Sequence, residues 1–190
     1  TAMALSHNGQ FMLTGGAEGD IRMWEIRSQK MISHVKVHGD GVTSISLFED
    51  DSIAVTSSKD RSFSCVDLRN GKIMSSHRQK MGAINGCQLT NDEMSVVTIG
   101  SERKLTFWHL SEDNAVNVVP EAHRAEGLCL ALSHDNSLIA TGGADERIHL
   151  WSYPDGQKLA VGEGHSGKVM DIKFSPDDKQ LISVGADGNI

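Results

Sequence analysis

The sequence is short of the features that mark several large protein classes. Its three cysteines include no C-x-x-C pair, which argues against a zinc knuckle and against a disulfide framework. This cysteine usage favours a reducing, cytoplasmic compartment. The longest uninterrupted apolar run, residues 128–132, is far too short to cross a bilayer, and no secretory signal is visible. We therefore expect a soluble domain with no membrane-bound segment.

Positive charge and aromatic side chains are also scarce. The 18 Lys and Arg residues are outnumbered by 25 Asp and Glu residues, which gives a formal net charge of -7, and only 5% of residues are aromatic. General binders of nucleic acid or of anionic membranes carry the opposite charge. Aromatic platforms for stacking nucleic-acid bases are lacking as well. Nucleic acid is therefore a disfavoured partner.

What the sequence does contain is an internal repeat of 42 to 43 residues. The tryptophans at 24, 108 and 151 are 84 and 43 residues apart, and Val66 stands midway across the longer gap. Three further positions recur in the same register. The histidine position is occupied by His38, Lys80, His123 and His165. The hydroxyl position is occupied by Thr14, Thr56, Thr98, Thr141 and Ser183. The acidic position is occupied by Glu18, Asp60, Glu102, Asp145 and Asp187.

Apolar residues follow the same register and alternate with small or polar ones. One apolar position is filled by Met3, Ile45, Cys87, Leu130 and Ile172. The next is filled by Leu5, Leu47, Leu89, Leu132 and Phe174. Alternation with a period of two is typical of strands with one buried face. Polar segments such as 6–9, 90–93 and 175–178 are typical of turns. Each repeat is therefore predicted to be a set of short strands.

Histidine, Ser/Thr, Asp and Trp at these spacings resemble the WD-repeat β-propeller family. The most diagnostic stretches are 141–145, 148–151, 164–165 and 174–177. The resemblance implies an all-β chain of about four and a half four-stranded antiparallel blades. The repeat units fall at about 1–37, 38–79, 80–122, 123–164 and 165–190 of a single propeller. Because the chain starts at Thr1 and a partial ring would leave open sheet edges, we expect a fragment of a larger ring.

The family's conserved polar residues hydrogen-bond within a blade, and only one repeat carries the full set. Carried over, the set is His123, Thr141, Asp145 and Trp151. Other repeats depart from the pattern at Glu18, Val66, Lys80 and Glu102. One lost hydrogen bond costs about 0.5–1.5 kcal/mol, so these departures are expected to affect local rigidity rather than the fold.

Some of the same residues also resemble parts of chemical sites. His38, His123 and His165 occur once per repeat, without a carboxylate or cysteine at ligand spacing, which favours a structural role over a metal site. His123 and Asp145 imitate part of a Ser-His-Asp triad, but the repeat already explains both. The sequence therefore predicts no catalytic residue, no cofactor, no metal and no enzyme activity.

The charged residues of the loops are distributed unevenly. In the family, the loop with the histidine and the turn with the aspartate lie on one face. Those segments hold the basic patch, which consists of Lys59, Arg61, Lys80, Arg103, Lys104, Arg124 and Arg147. The opposite loops hold Glu49, Asp50, Asp51, Asp92, Glu93, Asp135, Asp177 and Asp178. Two interpretations stay open: a solubilising mixture of charges, or a patch that docks an acidic protein surface.

Two function classes follow, namely a non-catalytic scaffold for other proteins and a nucleic-acid-binding propeller that uses the same patch. A narrower resemblance bears on the choice. Segments 14–20, 161–167 and 183–188 are similar to WD-repeat proteins of cilia and flagella that bind the microtubule doublet. This resemblance implies a scaffold of the axoneme, with tubulin as the acidic partner.

Overall fold

The structure is a computed structural model that describes residues 2–190. Within this range the chain forms 18 strands and no helix, and hence no helix that could span a membrane. The strands make four antiparallel sheets of four strands and one of two. The predicted all-β architecture of about four and a half four-stranded blades is confirmed.

The first of two compact units is Thr1–Leu89. Its strands are β1 (Ala2–Leu5), β2 (Phe11–Gly15), β3 (Asp20–Glu25), β4 (Lys30–Lys36), β5 (Val42–Leu47), β6 (Ile53–Ser58), β7 (Ser62–Asp67), β8 (Lys72–Arg78) and β9 (Ile84–Leu89). Two complete sheets have the orders β1-β2-β3-β4 and β5-β6-β7-β8. The core of this unit is formed by Leu13, Ile21, Met23, Val42, Ile45, Ala54 and Val66. Val66 is fully buried, so it fills the core where other repeats have tryptophan.

The second compact unit is Thr90–Ile190. Its strands are β10 (Ser95–Gly100), β11 (Leu105–His109), β12 (Ala115–Val119), β13 (Gly127–Leu132), β14 (Leu138–Gly143), β15 (Arg147–Ser152), β16 (Lys158–Glu163), β17 (Val169–Phe174) and β18 (Leu181–Gly185). One core cluster consists of Val97, Leu105, Phe107, Ala122, Ile139 and Trp151. A second consists of Cys129, Ala131, Ala140, Val169 and Ile172. Trp151 is 1% exposed.

The turn between the first two strands of each repeat has the same backbone shape. One residue in each turn has a positive φ, between 54° and 66°. These residues are Gly9, Asp51, Glu93, Asn136 and Asp178. Glycine, asparagine and aspartate tolerate this left-handed region better than most residues do. Local turn chemistry therefore sets where the second strand of each repeat begins.

A strand irregularity also recurs once per repeat. The pairing of the third and fourth strands shifts register directly before the tryptophan position. The shifts lie between Met23 and Trp24, Cys65 and Val66, Phe107 and Trp108, and Leu150 and Trp151. A bulge bends a strand and increases its twist. The repeat is thus preserved in the backbone even where the tryptophan itself is replaced.

Candidate functional site

The four residues carried over from the family, His123, Thr141, Asp145 and Trp151, form one hydrogen-bonded chain. Trp151 Nε1 donates to Thr141 Oγ1 at 2.9 Å, and His123 Nε2 lies 2.8 Å from the same hydroxyl. His123 Nδ1 lies 2.9 Å from a carboxylate oxygen of Asp145. Because a carboxylate can only accept, Nδ1 of His123 carries the proton and Nε2 accepts from the Thr141 hydroxyl. Every ring nitrogen of this set therefore has a partner.

Burial and hydrogen bonding set the protonation of this chain of residues. Burial lowers the pKa of His123, although the hydrogen bond and the charge of Asp145 act in the opposite direction. For Asp145, burial alone would raise the pKa, but hydrogen bonds from the His123 ring and the Arg124 amide hold it below its ordinary value. A neutral imidazole thus faces a carboxylate. A Cβ on Gly143 would lie 2.5 Å from His123 Nδ1, so only glycine fits beside this pair.

Other repeats form parts of the same set. His38 Nε2 lies 2.9 Å from Thr56, and its Nδ1 lies 3.0 Å from Ser62, with Asp60 farther away at 3.4 Å. In the first and third repeats the tryptophan still donates to the threonine hydroxyl. Those bonds are Trp24 to Thr14 and Trp108 to Thr98, both at 2.9 Å. Parts of the polar set thus form in several repeats, and a sheet forms even where one member of the set is missing.

The sequence did not indicate the surroundings of His149, a buried side chain that could act chemically. It lies on β15 and is 5% exposed. Its ring is stacked on that of Trp151, with the centroids 5.6 Å apart, and is tilted by 41° to that of His123, with the centroids 4.4 Å apart. Neither of its ring nitrogens has a hydrogen-bond partner among the described residues. Burial, and then the nearby His123 and Lys158, lower the pKa of His149 to about 4. The ring is therefore neutral at physiological pH.

The ligand-type atoms of His123, Asp145 and His149 lie within 4.8 Å of one another. Both nitrogens of His123 are already bonded to Thr141 and Asp145. A metal ion could recruit His123 only by displacing those bonds. The arrangement within residues 2–190 is therefore better suited to holding the blade together than to coordinating an ion.

The three cysteines lie in the core. Cys65, Cys87 and Cys129 are free and buried. Burial raises the pKa of Cys87 and of Cys129 to about 12 in each case. Since the thiolate is the reactive form, these side chains act as small apolar residues rather than nucleophiles.

The structure brings three members of the basic patch together in the second unit. Arg103, Arg124 and Arg147 line a pocket of about 410 Å³. Lys158 also lines this pocket, although it was not part of the patch. We call this site the cationic pocket. Its other polar lining residues are Glu121, His123 and His149.

Three of the four cations of the pocket have a side-chain contact with a neighbour. Arg103 Nη1 donates to the Arg124 carbonyl at 3.4 Å, and Lys158 Nζ lies 4.8 Å from the ring centre of Trp151. Arg147 pairs with Glu163 at 2.7 Å. Lys158 lies opposite Trp151 on the neighbouring strand, which places its ammonium group over the indole ring. The residues opposite the tryptophan position in the other repeats are Met31, Ile73 and Ala115.

The remaining patch residues are placed differently. Lys104 pairs with Glu102 at 2.6 Å and does not line the pocket. In the first unit, Arg61 Nη1 donates to the Lys80 carbonyl at 3.3 Å. Lys59 lies in the same turn as Arg61, between β6 and β7. Arg61 in the first unit thus repeats the arrangement of Arg103 in the second.

Arg61 and Arg103 share an unusual backbone position directly after the acidic residue of the turn. The residues at this position are Gly19, Arg61, Arg103, Glu146 and Gly188, and their φ values lie between 60° and 85°. Glycine adopts this conformation freely, whereas other residues are strained in it. The first and last repeats have glycine at this position, the second and third have arginine, and the fourth has Glu146.

Some acids of the opposite loops bind a neighbouring turn. Asp51 accepts from the backbone amides of His7 and Asn8 at 2.8 and 3.0 Å. In the second unit, Asp178 accepts from the amides of His134 and Asp135 at 3.0 and 3.2 Å. Asp51 is only 8% exposed. These acids support the fold as well as contributing surface charge.

The chain is similar over its full length to a group of ciliary proteins. It is 27% identical to cilia- and flagella-associated protein 52 of Mus musculus over 197 residues, which cover 100% of this chain and 31% of that protein. The counterpart in Chlamydomonas reinhardtii is 31% identical over 174 residues, covering 89% of this chain and 28% of the relative. Autophagy-related protein 16 of Arabidopsis thaliana is 20% identical over 189 residues, covering 98% and 36%. The chain thus spans about a third of the length of these curated relatives.

The family model for the WD domain, G-beta repeat, matches four segments of the chain. These segments are residues 1–25, 29–67, 116–152 and 156–190. Lys80 and Glu102 fall between the matched segments, in the repeat that lacks both the histidine and the aspartate. The matches cover most of the chain, and the first three end one residue after the tryptophan position, at residues 25, 67 and 152. The chain therefore belongs to the WD40 repeat family.

Proposed function

We propose that this chain is part of a non-catalytic scaffold of the cytoplasm and cilium that binds an acidic protein partner through its basic patch. The observation that carries the proposal is the convergence of Arg103, Arg124 and Arg147 on one pocket. The ciliary setting is supported by the names of the relatives that match the whole chain. Tubulin is the acidic partner that we propose to test first.

The roles of the charged side chains support an interaction at the end of the strands where the basic patch lies. Asp51 and Asp178, at the opposite end, bond to neighbouring turns and so have a structural role. Arg61 and Arg103 instead donate to backbone carbonyls. A carbonyl does not neutralise a guanidinium, so these cations remain available to an acidic surface.

The test uses the full-length protein and stabilised microtubules in a co-sedimentation assay. Arg103→Glu combined with Arg124→Glu is expected to weaken binding roughly tenfold or more, because exposed charges govern association with a charged surface. Lys104 is left unchanged, because its pair with Glu102 would turn repulsive on reversal. Binding of the unchanged protein is expected to weaken as salt rises from about 50 to about 200 mM.

The matched control is Arg27→Glu combined with Lys72→Glu, which changes the net charge equally and breaks no ion pair among the described residues. Arg27 follows the end of β3 and Lys72 begins β8, whereas Arg61 and Arg103 precede β7 and β11, so the control lies at the opposite end of the strands. The control is expected to bind like the unchanged protein. Equal loss in both double variants, or no effect of salt, would contradict the proposal.

A further inference from the structure

The cationic pocket brings several charged side chains together at one place on the surface. Four cations and one carboxylate, Glu121, line a single pocket of about 410 Å³. Arg147 is paired with Glu163, which leaves Arg103, Arg124 and Lys158 as the cations that can receive an anion. Three positive groups around one opening raise the local concentration of anionic ligands.

We propose that the cationic pocket binds a carboxylate-rich peptide segment of a protein partner, with Arg103, Arg124 and Lys158 contacting its acidic side chains. This inference rests on the proposed function and names the chemical class that the site would recognise. The guanidinium groups suit carboxylates because two parallel N–H bonds can reach the two carboxylate oxygens.

The pocket is organised before any ligand arrives. Arg103 is held by the carbonyl of Arg124, and Lys158 is held over Trp151, which is itself bonded to Thr141. The amide of Arg124 donates to Asp145 at 2.8 Å, so the backbone of that residue is also tied to the hydrogen-bonded set. Pre-positioned side chains lose less conformational entropy when a ligand binds.

The backbone of Arg103 allows its side chain to be removed without a change in the turn. Its φ of 60° lies in the left-handed region, which Gly19, Glu146 and Gly188 also adopt at this position of other repeats. Glycine is free of the strain that arginine has there, so Arg103→Gly should leave the fold intact. Arg61 shares the conformation, with φ of 75°, but is not among the residues that line this pocket.

The size and lining of the pocket favour a peptide segment over a single small anion. At about 30 Å³ per water, its volume of about 410 Å³ corresponds to about 14 waters. Its wall includes the apolar side chains of Ala122 and Val161 beside the cations. A polypeptide can place carboxylates on the cations and aliphatic stems on these apolar residues.

The experiment measures binding of a fluorescent hexaglutamate peptide to the full-length protein by anisotropy. Arg103→Gly and Lys158→Gln are each expected to reduce the affinity roughly tenfold, as for loss of a charge-assisted contact. Arg61→Gly is the matched control, because it removes the same side chain from the same backbone conformation outside the pocket. Its affinity is expected to stay within about twofold of the unchanged protein. Circular dichroism and melting temperatures verify that all three variants fold.

Each other outcome overturns the inference. Equal losses in Arg103→Gly and Arg61→Gly would mean general attraction to a charged surface. Inorganic phosphate that displaces the peptide at comparable concentration would identify a phosphate site, and tighter binding of an oligothymidylate would identify a nucleic-acid site. If hexaglutamate does not bind the unchanged protein while salt-sensitive co-sedimentation with microtubules persists, the pocket inference fails and the proposed function stands.

Discussion

At the scale of single residues, Thr141 is the junction of the complete polar set. Its hydroxyl accepts from Trp151 and faces His123, so one oxygen joins an indole on β15 to an imidazole outside the sheet. The tryptophan contributes both a buried aromatic surface and a donor with a partner. Val66, at the same position of the second repeat, contributes only apolar volume.

Trp151→Ala is therefore expected to destabilise the protein more than Val66→Ala. Truncating a buried tryptophan costs about 3–5 kcal/mol, and removing the two methyl groups of Val66 costs about 2 kcal/mol. Urea denaturation of both variants, followed by far-ultraviolet circular dichroism, measures the difference. Equal losses of stability would contradict the assigned roles.

His149 makes the stability of the second unit depend on pH. Its pKa is about 4 in the folded chain and 6.5 when unperturbed. As pH falls below 6.5, the unfolded chain binds a proton that the folded chain does not, so stability decreases until the pH reaches about 4. The loss over this window is expected to approach about 3 kcal/mol.

His149→Phe keeps an aromatic ring between His123 and Trp151 but removes the titrating group. The variant is expected to lose less stability than the unchanged protein between pH 6.5 and about 4. Because His38 and His123 also have lowered pKa values, part of the acid sensitivity should remain. Urea denaturation at several pH values measures the difference, and identical pH profiles would refute the assignment.

At the scale of elements, the turn between β5 and β6 joins neighbouring repeats. The carboxylate of Asp51 receives two backbone amides from the turn between β1 and β2, and His7 Nδ1 lies 3.0 Å away. Burial would raise the pKa of Asp51, but these hydrogen bonds hold it below its ordinary value. Asp51 is thus ionised, and its hydrogen bonds link its own turn to the turn between β1 and β2.

Asp51→Ala is expected to cost roughly 2 kcal/mol, because it leaves partly buried amides of His7 and Asn8 without an acceptor. The matched control is Asp50→Ala, whose carboxylate is 60% exposed and bonds to Ser52 within its own turn. A much smaller effect is expected for the control. Thermal melting of the two variants gives the comparison, and equal shifts would show that Asp51 has no special role.

At the scale of the whole molecule, the repeat survives the loss of its most recognisable side chains. The third repeat has Lys80 and Glu102 in place of histidine and aspartate, and residues 68–115, which hold most of it, lie outside the family matches. Its strands β10, β11 and β12 nevertheless pair in order, with the same register shift before Trp108. The alternating apolar positions therefore specify the sheet, and the polar set adds to its stability.

Because the sheet forms without the full polar set, function can vary among the repeats without loss of the fold. Turn positions next to the polar set carry glycine in some repeats and arginine in others. An acidic protein of net charge -7 can thus hold a local cationic pocket. Function in such folds depends on particular side chains of the loops rather than on the architecture.

Much of this organisation was predictable from the residues in order. The 42 to 43 residue period, the strands and the turns follow from positions that recur along the chain, and the complete polar set is implied by the resemblance to the WD-repeat family. Strand periodicity and turn chemistry are predictable because they depend on residues close together in the sequence, so each repeat shows them by itself.

The tertiary structure alone decided which side chains meet. Arg103, Arg124 and Lys158 come from three separate segments, and only packing places them around one pocket with His149. Burial of Asp51 and the stacking of His149 likewise depend on neighbours distant along the chain. Sequence periodicity specifies which side of a strand a residue faces, whereas contacts between turns depend on how the strands twist and pack against one another.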